Sequence, residues 1–205
     1  MDEVDLFVVT GVMAAGKSTV AEALAHRFER SAHVRGDAFR RMIVAGRDPI
    51  TPPLSSEAER QLALRRRLAI DAALAYRAAG FTTVLQDLYL GGHLMEVVER
   101  LSSVRPRVVI LCPSAAVIAE RESRREKTGY GAWDVETLWR TFMDTTPRIG
   151  LWLDTTSLSV AQTVTAILED CDVSRVGPTE LARWRRLHGP AGRPRDEWRG
   201  PSTPP

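Results

Sequence analysis

Lysine is nearly missing from this chain of 205 residues: of 28 basic side chains only Lys17 and Lys127 are lysine, and the rest are arginine. The two cations are not interchangeable where a compact point charge has to fit a tight loop, so both lysines are informative positions. Cysteine is equally scarce. Cys112 and Cys171 stand far apart and follow no metal-ligand spacing, which reads as two unpaired thiols of a cytoplasmic protein, not a zinc site or a disulfide framework. No apolar run approaches the roughly 20 residues that a membrane span needs. The acidic start, Met1-Asp2-Glu3, runs straight into an apolar segment and does not read as a secretory signal. Neither sign of charge dominates, the net being +2. Residues 171–205 hold seven arginines against Asp172, Glu180, Asp196 and Glu197, which leaves the remainder slightly acidic. That balance counts against nucleic acid as a partner of the main body.

What is present is a regular alternation of short apolar runs and amphipathic stretches. Leu6–Thr10, His33–Gly36, Phe81–Leu85, Arg107–Cys112 and Ile149–Asp154 read as strands. Between them, helices are expected after Lys17, over Ala38–Ala45, from Ser55 or Ser56 to Ala79, after Gly91-Gly92, over Ala115–Arg125 and after Asp134. The inward stripe of the long helix reads as Leu64, Leu68, Ala72, Ala75 and Ala79. A further helix covers Val160–Leu168. Strands alternating with helices predict an α/β fold: a five-stranded parallel sheet with helices on both faces. The expected division is a domain at residues 1–170 and a basic, Pro/Gly-rich tail at residues 171–205, with one short helix near Glu180–Leu187 and disorder beyond Gly189. Residues 46–57, with three prolines, read as an open loop.

Gly11-Val12-Met13-Ala14-Ala15-Gly16-Lys17-Ser18 matches the phosphate-binding P-loop pattern without a gap. Its glycines let the backbone curl around a phosphate with N–H groups inward, and the following helix adds its positive end. On this reading Gly11, Ala14, Ala15, Gly16, Lys17, Ser18 and Thr19 bind the nucleotide, Lys17 also acts in catalysis, and Ser18 holds Mg²⁺. A chain this long contains the pattern by chance on the order of once in a hundred. Glu126-Lys127-Thr128-Gly129 does not fit the guanine-reading element of Ras-type GTPases, so ATP is the expected nucleotide.

Phosphoryl transfer needs positioning, charge neutralisation and a carboxylate to orient the attacking hydroxyl. Asp37, at the end of the second strand, is the candidate base; a plain helix N-cap is the competing reading. That strand is expected beside the P-loop strand. Asp87, ending the third strand, is a candidate Mg²⁺ ligand or acceptor anchor. Arg40 and Arg41, one turn past Asp37, are candidate acceptor contacts. Arg121, Arg124 and Arg125 share a helix face. With Lys127 on the following glycine-containing segment, they read as a short lid closing over ATP. Trp139 and Trp152 read as core, Trp133 lies beside the lid, and Trp184 and Trp198 suggest that the tail docks.

These residues resemble the chloramphenicol phosphotransferase-like branch of the small P-loop kinases, over about residues 4–170. The resemblance is carried by the P-loop, Asp37, Asp87-Leu88-Tyr89-Leu90-Gly91-Gly92 and Asp154-Thr155-Thr156. It implies a small-molecule hydroxyl acceptor, possible in an antibiotic or another metabolite, and places the base at Asp37. Segment 35–40 is also similar to the matching element of polynucleotide 5′-kinases, zeta-type toxins and adenylylsulfate kinases. A polynucleotide or nucleotide-sugar kinase therefore stays open, as does an ATP-dependent switch that binds a partner. Gln86-Asp87, where the antibiotic kinase has two adjacent acids, and the 46–57 segment depart from the pattern; both would line the acceptor pocket.

Overall fold

A computed structural model describes residues 4–124 and 134–188. Five strands form one sheet: β1 (Leu6–Thr10), β2 (Ser31–Arg35), β3 (Thr82–Gln86), β4 (Arg107–Leu111) and β5 (Leu151–Leu153). All pair in parallel, in the order β2-β3-β1-β4-β5. Every residue of β1 and of β4 is buried, as required of strands covered on both faces. Fully burying one such side chain contributes roughly 1.5–3 kcal/mol.

The expected adjacency of the second strand and the P-loop strand does not occur. β3 lies between them, with Phe7 opposite Val84 on one side and Val34 opposite Leu85 on the other. Local patterns are blind to this order, because the connections from β1 to β2 and from β2 to β3 are both long enough to skip a strand.

The helices are α1 (Lys17–Ala25), α2 (Gly36–Arg41), α3 (Ser56–Ala78), α4 (Gly92–Leu101), α5 (Ala115–Ser123), α6 (Val135–Thr145), α7 (Val160–Glu169) and α8 (Pro178–His188). α1 packs on α7, and α3 packs on α4; right-handed crossovers put these pairs on opposite faces of the sheet. Among the described residues no helix is long and apolar enough to cross a membrane. Start signals are chemical and local. The side chains of Ser55, Ser114, Asp134 and Ser159 each accept a first-turn N–H, and Ser159 with Gln162 completes a capping box.

Two helices differ from their sequence patterns. α2 starts two residues earlier than expected and ends at Arg41; Asp37 lies in its first turn and caps nothing. In α3 the buried stripe is Ala58, Gln61, Ala69, Ile70 and Ala73, while Leu64 and Leu68 are exposed. The two stripes have the same helical spacing, and the real one was concealed by its polar member.

Packing continues beyond residue 170. Ser174, Val176 and Leu181 are buried, Trp184 packs against the core, and Arg175 bridges to Arg107 at the start of β4. Trp139 and Trp152 also pack on the core. Both cysteines are free, and burial pushes the Cys112 thiol up to about 12. Trp133, Trp198, Arg125, Lys127 and the expected lid loop lie outside the described residues.

Candidate active site

In a parallel α/β sheet, ligands bind beyond the carboxyl ends of the strands. Three of those ends carry the predicted chemistry. After β1 the chain turns through the glycine loop into α1. Gly11 has φ 151°, and a Cβ there would sit 2.6 Å from the Leu111 carbonyl oxygen, so the loop can only lie this close to β4 without a side chain. Ala14 is left-handed at φ 60°, and Gly16, also left-handed, caps α1. A non-glycine residue held there stores roughly 1–2 kcal/mol of strain, a feature that concentrates at ligand sites. Because α1 begins at Lys17, the N–H groups of Lys17, Ser18 and Thr19 have no carbonyl one turn back within the helix.

The Lys17 ammonium donates to the Val12 carbonyl at 2.8 Å, folded over its own loop. The Ser18 hydroxyl donates to Gln86 Oε1 at 3.2 Å. Having given its proton to the end of β3, that oxygen presents lone pairs, the form in which a hydroxyl accepts a cation. The cradle and Ser18 therefore fit a magnesium-bound nucleotide. Gln86 is a partner that motif reading passed over, because it looked like the missing half of an acidic pair.

The two described arginines of the expected clamp, Arg121 and Arg124, separate. Arg121 reaches the Ala15 carbonyl at 3.5 Å and lies against Gly16. Arg124, with its side chain 77% exposed, turns to Glu120 at 2.7 Å. Helical spacing put them on one face, but the residue one turn nearer the loop is the one that reaches it.

At the end of β2, Asp37 is half-buried. Arg41 donates to its Oδ2 at 2.6 Å, and Arg35 lies 3.8 Å from Oδ1. Two cations thus hold this carboxylate in place at the mouth of the sheet.

Asp87, in the sequence a candidate Mg²⁺ ligand or acceptor anchor, is engaged within the protein. Both carboxylate oxygens are taken by the Arg65 guanidinium, Nε to Oδ2 at 2.8 Å and Nη2 to Oδ1, and Oδ1 also accepts the Leu88 N–H at 2.7 Å. The Asp87 side chain is 3% exposed and that of Arg65 15%. Burial alone would lower the Arg65 pKa; the Asp87 charge and hydrogen bonds outweigh it, so the net shift is upward. The pair is clamped by Gly36, where a Cβ would fall 2.1 Å from Asp87 Oδ2. Among the described residues no group of three or more His, Cys, Asp and Glu could hold a metal ion.

The 46–57 loop is pinned from both sides. Gln61, buried on α3, donates to the Gly46 carbonyl at 2.7 Å and accepts from Asp48 N at 3.0 Å. The Asp48 carbonyl accepts from Arg40, and its carboxylate accepts from the Ser55 hydroxyl. Arg65 and Gln61, both missed in the sequence, share the α3 stripe with Ala58, Ala69 and Ala73. Reading polar residues at that spacing as inward would have found them.

A parallel sheet of this order, with a glycine loop between its central strand and the first helix, defines a kinase-like P-loop domain of the small P-loop kinase superfamily. The family described as AAA domain matches residues 6–143, and the chain belongs to it. No curated protein matches the chain by sequence. Among solved structures the chain is similar to a sugar kinase from Janibacter sp. HTCC2649, at 22% identity over 83% of this chain and 96% of that one, with TM-score 0.60. It is similar also to the tunicamycin resistance protein of Deinococcus radiodurans, at 16% identity over 85% and 99%, TM-score 0.61. The shikimate kinase of Acinetobacter baumannii, solved in complex with shikimate, shares 18% identity over 81% and 92%, TM-score 0.58. At these identities the likeness is one of fold.

Proposed function

We propose that the protein is an ATP-dependent phosphotransferase that moves the γ-phosphoryl group onto a hydroxyl of a small molecule. The observation that supports it most is the pairing of a complete P-loop with a fixed carboxylate, Asp37, two strands away on the same end of the sheet. Strands lie about 4.8 Å apart, so the two are separated by roughly 10 Å, room for one small acceptor above the end of β3. A switch protein needs the loop but not the carboxylate.

Gly11, Ala14, Ala15, Gly16, Ser18 and Thr19 cradle the nucleotide's phosphates, and Lys17 swings from the Val12 carbonyl to the terminal ones. Magnesium, bound through Ser18, would neutralise phosphate charge. Asp37 accepts the proton of the attacking hydroxyl as the acceptor oxygen bonds to the γ-phosphorus. The bond from that phosphorus to the bridging oxygen breaks, ADP leaves, and Asp37 returns its proton to solvent. Arg121, beside Ala15, steadies the transferring charge. The family resemblance and the similar kinases support an alcohol acceptor; an antibiotic is one candidate, and ATP use fits a cytoplasmic setting.

The test is a panel of hydroxylated metabolites, antibiotics and a 5′-hydroxyl oligonucleotide, assayed for ADP release with products weighed by mass spectrometry. One small-molecule class should raise ADP release above background. Phosphorylation of the oligonucleotide alone would select the polynucleotide reading, and ATP binding without any productive acceptor would select the switch.

A further inference from the structure

The ground around Asp37 holds more cation than it needs. Its ion pairs are Arg41 and Arg35 with Asp37, Arg65 with Asp87, and Arg66 with Glu96 at 3.6 Å. Arg40 and Arg47 enter none of these. The Arg40 Nη2 donates to a main-chain carbonyl, that of Asp48, and its Nε is buried without a partner. Burial pushes the Arg40 pKa down, and the like charges of Arg47 and Arg65 push it further; the Asp48 carboxylate opposes them without reversing the shift. The Tyr89 hydroxyl, too, is completely buried and unpartnered, with Asp87, Arg65 and Arg66 as its charged neighbours.

A half-buried guanidinium among other guanidinium groups, with a donor unused, costs stability unless an anion joins it. The guanidinium fork suits carboxylate and phosphate oxygens in particular. Arg40 also stands three residues after Asp37 on α2, so their Cβ atoms are about 5–6 Å apart on one helix face. One molecule of a few carbons can put an alcohol on Asp37 and an anionic group on Arg40.

We infer that the acceptor is itself an anion: a small hydroxylated molecule whose carboxylate or phosphate group is seated on Arg40, with Arg47 alongside. This rests on the phosphotransferase reading for the identity of the ligand as acceptor. A neutral molecule in the same place would leave Arg40 unpaired, and the site would discriminate against it.

The first test needs no knowledge of the natural acceptor. With the P-loop saturated by magnesium and a non-hydrolysable ATP analogue, the labelling of Arg40 by phenylglyoxal is followed by peptide mass spectrometry. Gluconate, glucose 6-phosphate and glucose serve as probes. Either anion should slow labelling of Arg40 at least about tenfold at saturation, with glucose leaving it unchanged; the more potent anion tells carboxylate from phosphate. Equal protection by glucose, or no protection by either anion, overturns the inference.

Thermal stabilisation by the effective anion should vanish in Arg40→Gln and partly survive in Arg40→Lys, and stabilisation unchanged in Arg40→Gln counts against the site. The acceptor panel separates the two claims. ADP release with neutral acceptors alone keeps the phosphotransferase and sinks the anion site; anion protection without any productive acceptor does the reverse.

Discussion

Replacing Asp87 by Asn tests what that carboxylate is for. In the folded chain it is 3% exposed and holds Arg65 through both oxygens. The variant keeps the shape but strands a guanidinium that is 15% exposed, with Gly36 too close for the backbone to shift. Breaking a buried ion pair from one side costs about 3–5 kcal/mol. For a chain of this size each kcal/mol lowers Tm by roughly 2–4 °C, so a loss of about 6–20 °C is expected. Arg65→Met should cost a similar amount by stranding Asp87 instead. The double variant removes both charges and should fall short of the sum of the singles by about 1–3 kcal/mol. Urea unfolding of the four proteins, with equal m-values as the control for two-state behaviour, gives the cycle. A parallel titration of magnesium against binding of an ATP analogue should give the same dependence in Asp87→Asn as in the parent. If Asp87→Asn costs less than about 1 kcal/mol and instead weakens magnesium-dependent binding tenfold, the carboxylate is a metal ligand and Arg65 its replaceable guest.

Asp37→Asn should lower kcat by about 10²–10⁴ with calorimetric affinity for the ATP analogue unchanged; full transfer activity in this variant would remove Asp37 as the base. Arg121→Ala should lower kcat by about 10²–10³, whereas Arg124→Ala, which loses only an exposed pair with Glu120, should leave it nearly intact; equal losses would show that the separation of the two arginines does not persist in the working enzyme. His93 gives a pH signature. Burial, then the charge of Arg66, lower its pKa against the pull of Glu96, so the unfolded chain binds that proton more tightly. Stability should therefore decline as pH drops below about 6.5 and level off once the folded imidazole is protonated. His93→Asn should flatten that part of a Tm-against-pH curve, and an unaltered slope would assign it to other groups.

What could be read in the sequence is what local chemistry decides. The P-loop is written in consecutive residues, the caps at Ser55, Ser114 and Asp134 announce helices that do start there, and the buried runs of β1 and β4 are continuous because both faces of the sheet are covered. What could not be read depends on partners distant in the chain. Arg65 and Asp87 are 22 residues apart, and nothing local pairs them until α3 lies over the end of β3. Likewise Leu64 and Leu68 outscored the true stripe of α3 on hydrophobicity alone. They are exposed, while the inward face carries Arg65, paired with Asp87, and Gln61 with the loop it anchors. Polar residues that are inside because they hold a site in place are the ones a hydrophobic pattern misassigns.

The misplaced strand matters most for function. Had β2 lain beside β1, Asp37 would stand about 5 Å from the phosphate loop, and no acceptor would fit between. Inserting β3 doubles the gap and gives it a floor, Gln86-Asp87-Leu88, in which Gln86 ties down Ser18 on the P-loop side and Asp87 ties down Arg65 on the Asp37 side. One strand end thus fixes both halves of the cleft, and the spacing between donor and acceptor follows from sheet order, not from any residue in the motif. A variant that loosens this floor, such as Gln86→Ala, should therefore weaken magnesium-nucleotide binding and leave the acceptor arginines in place. Equal damage on both sides would mean that the floor acts as a single unit.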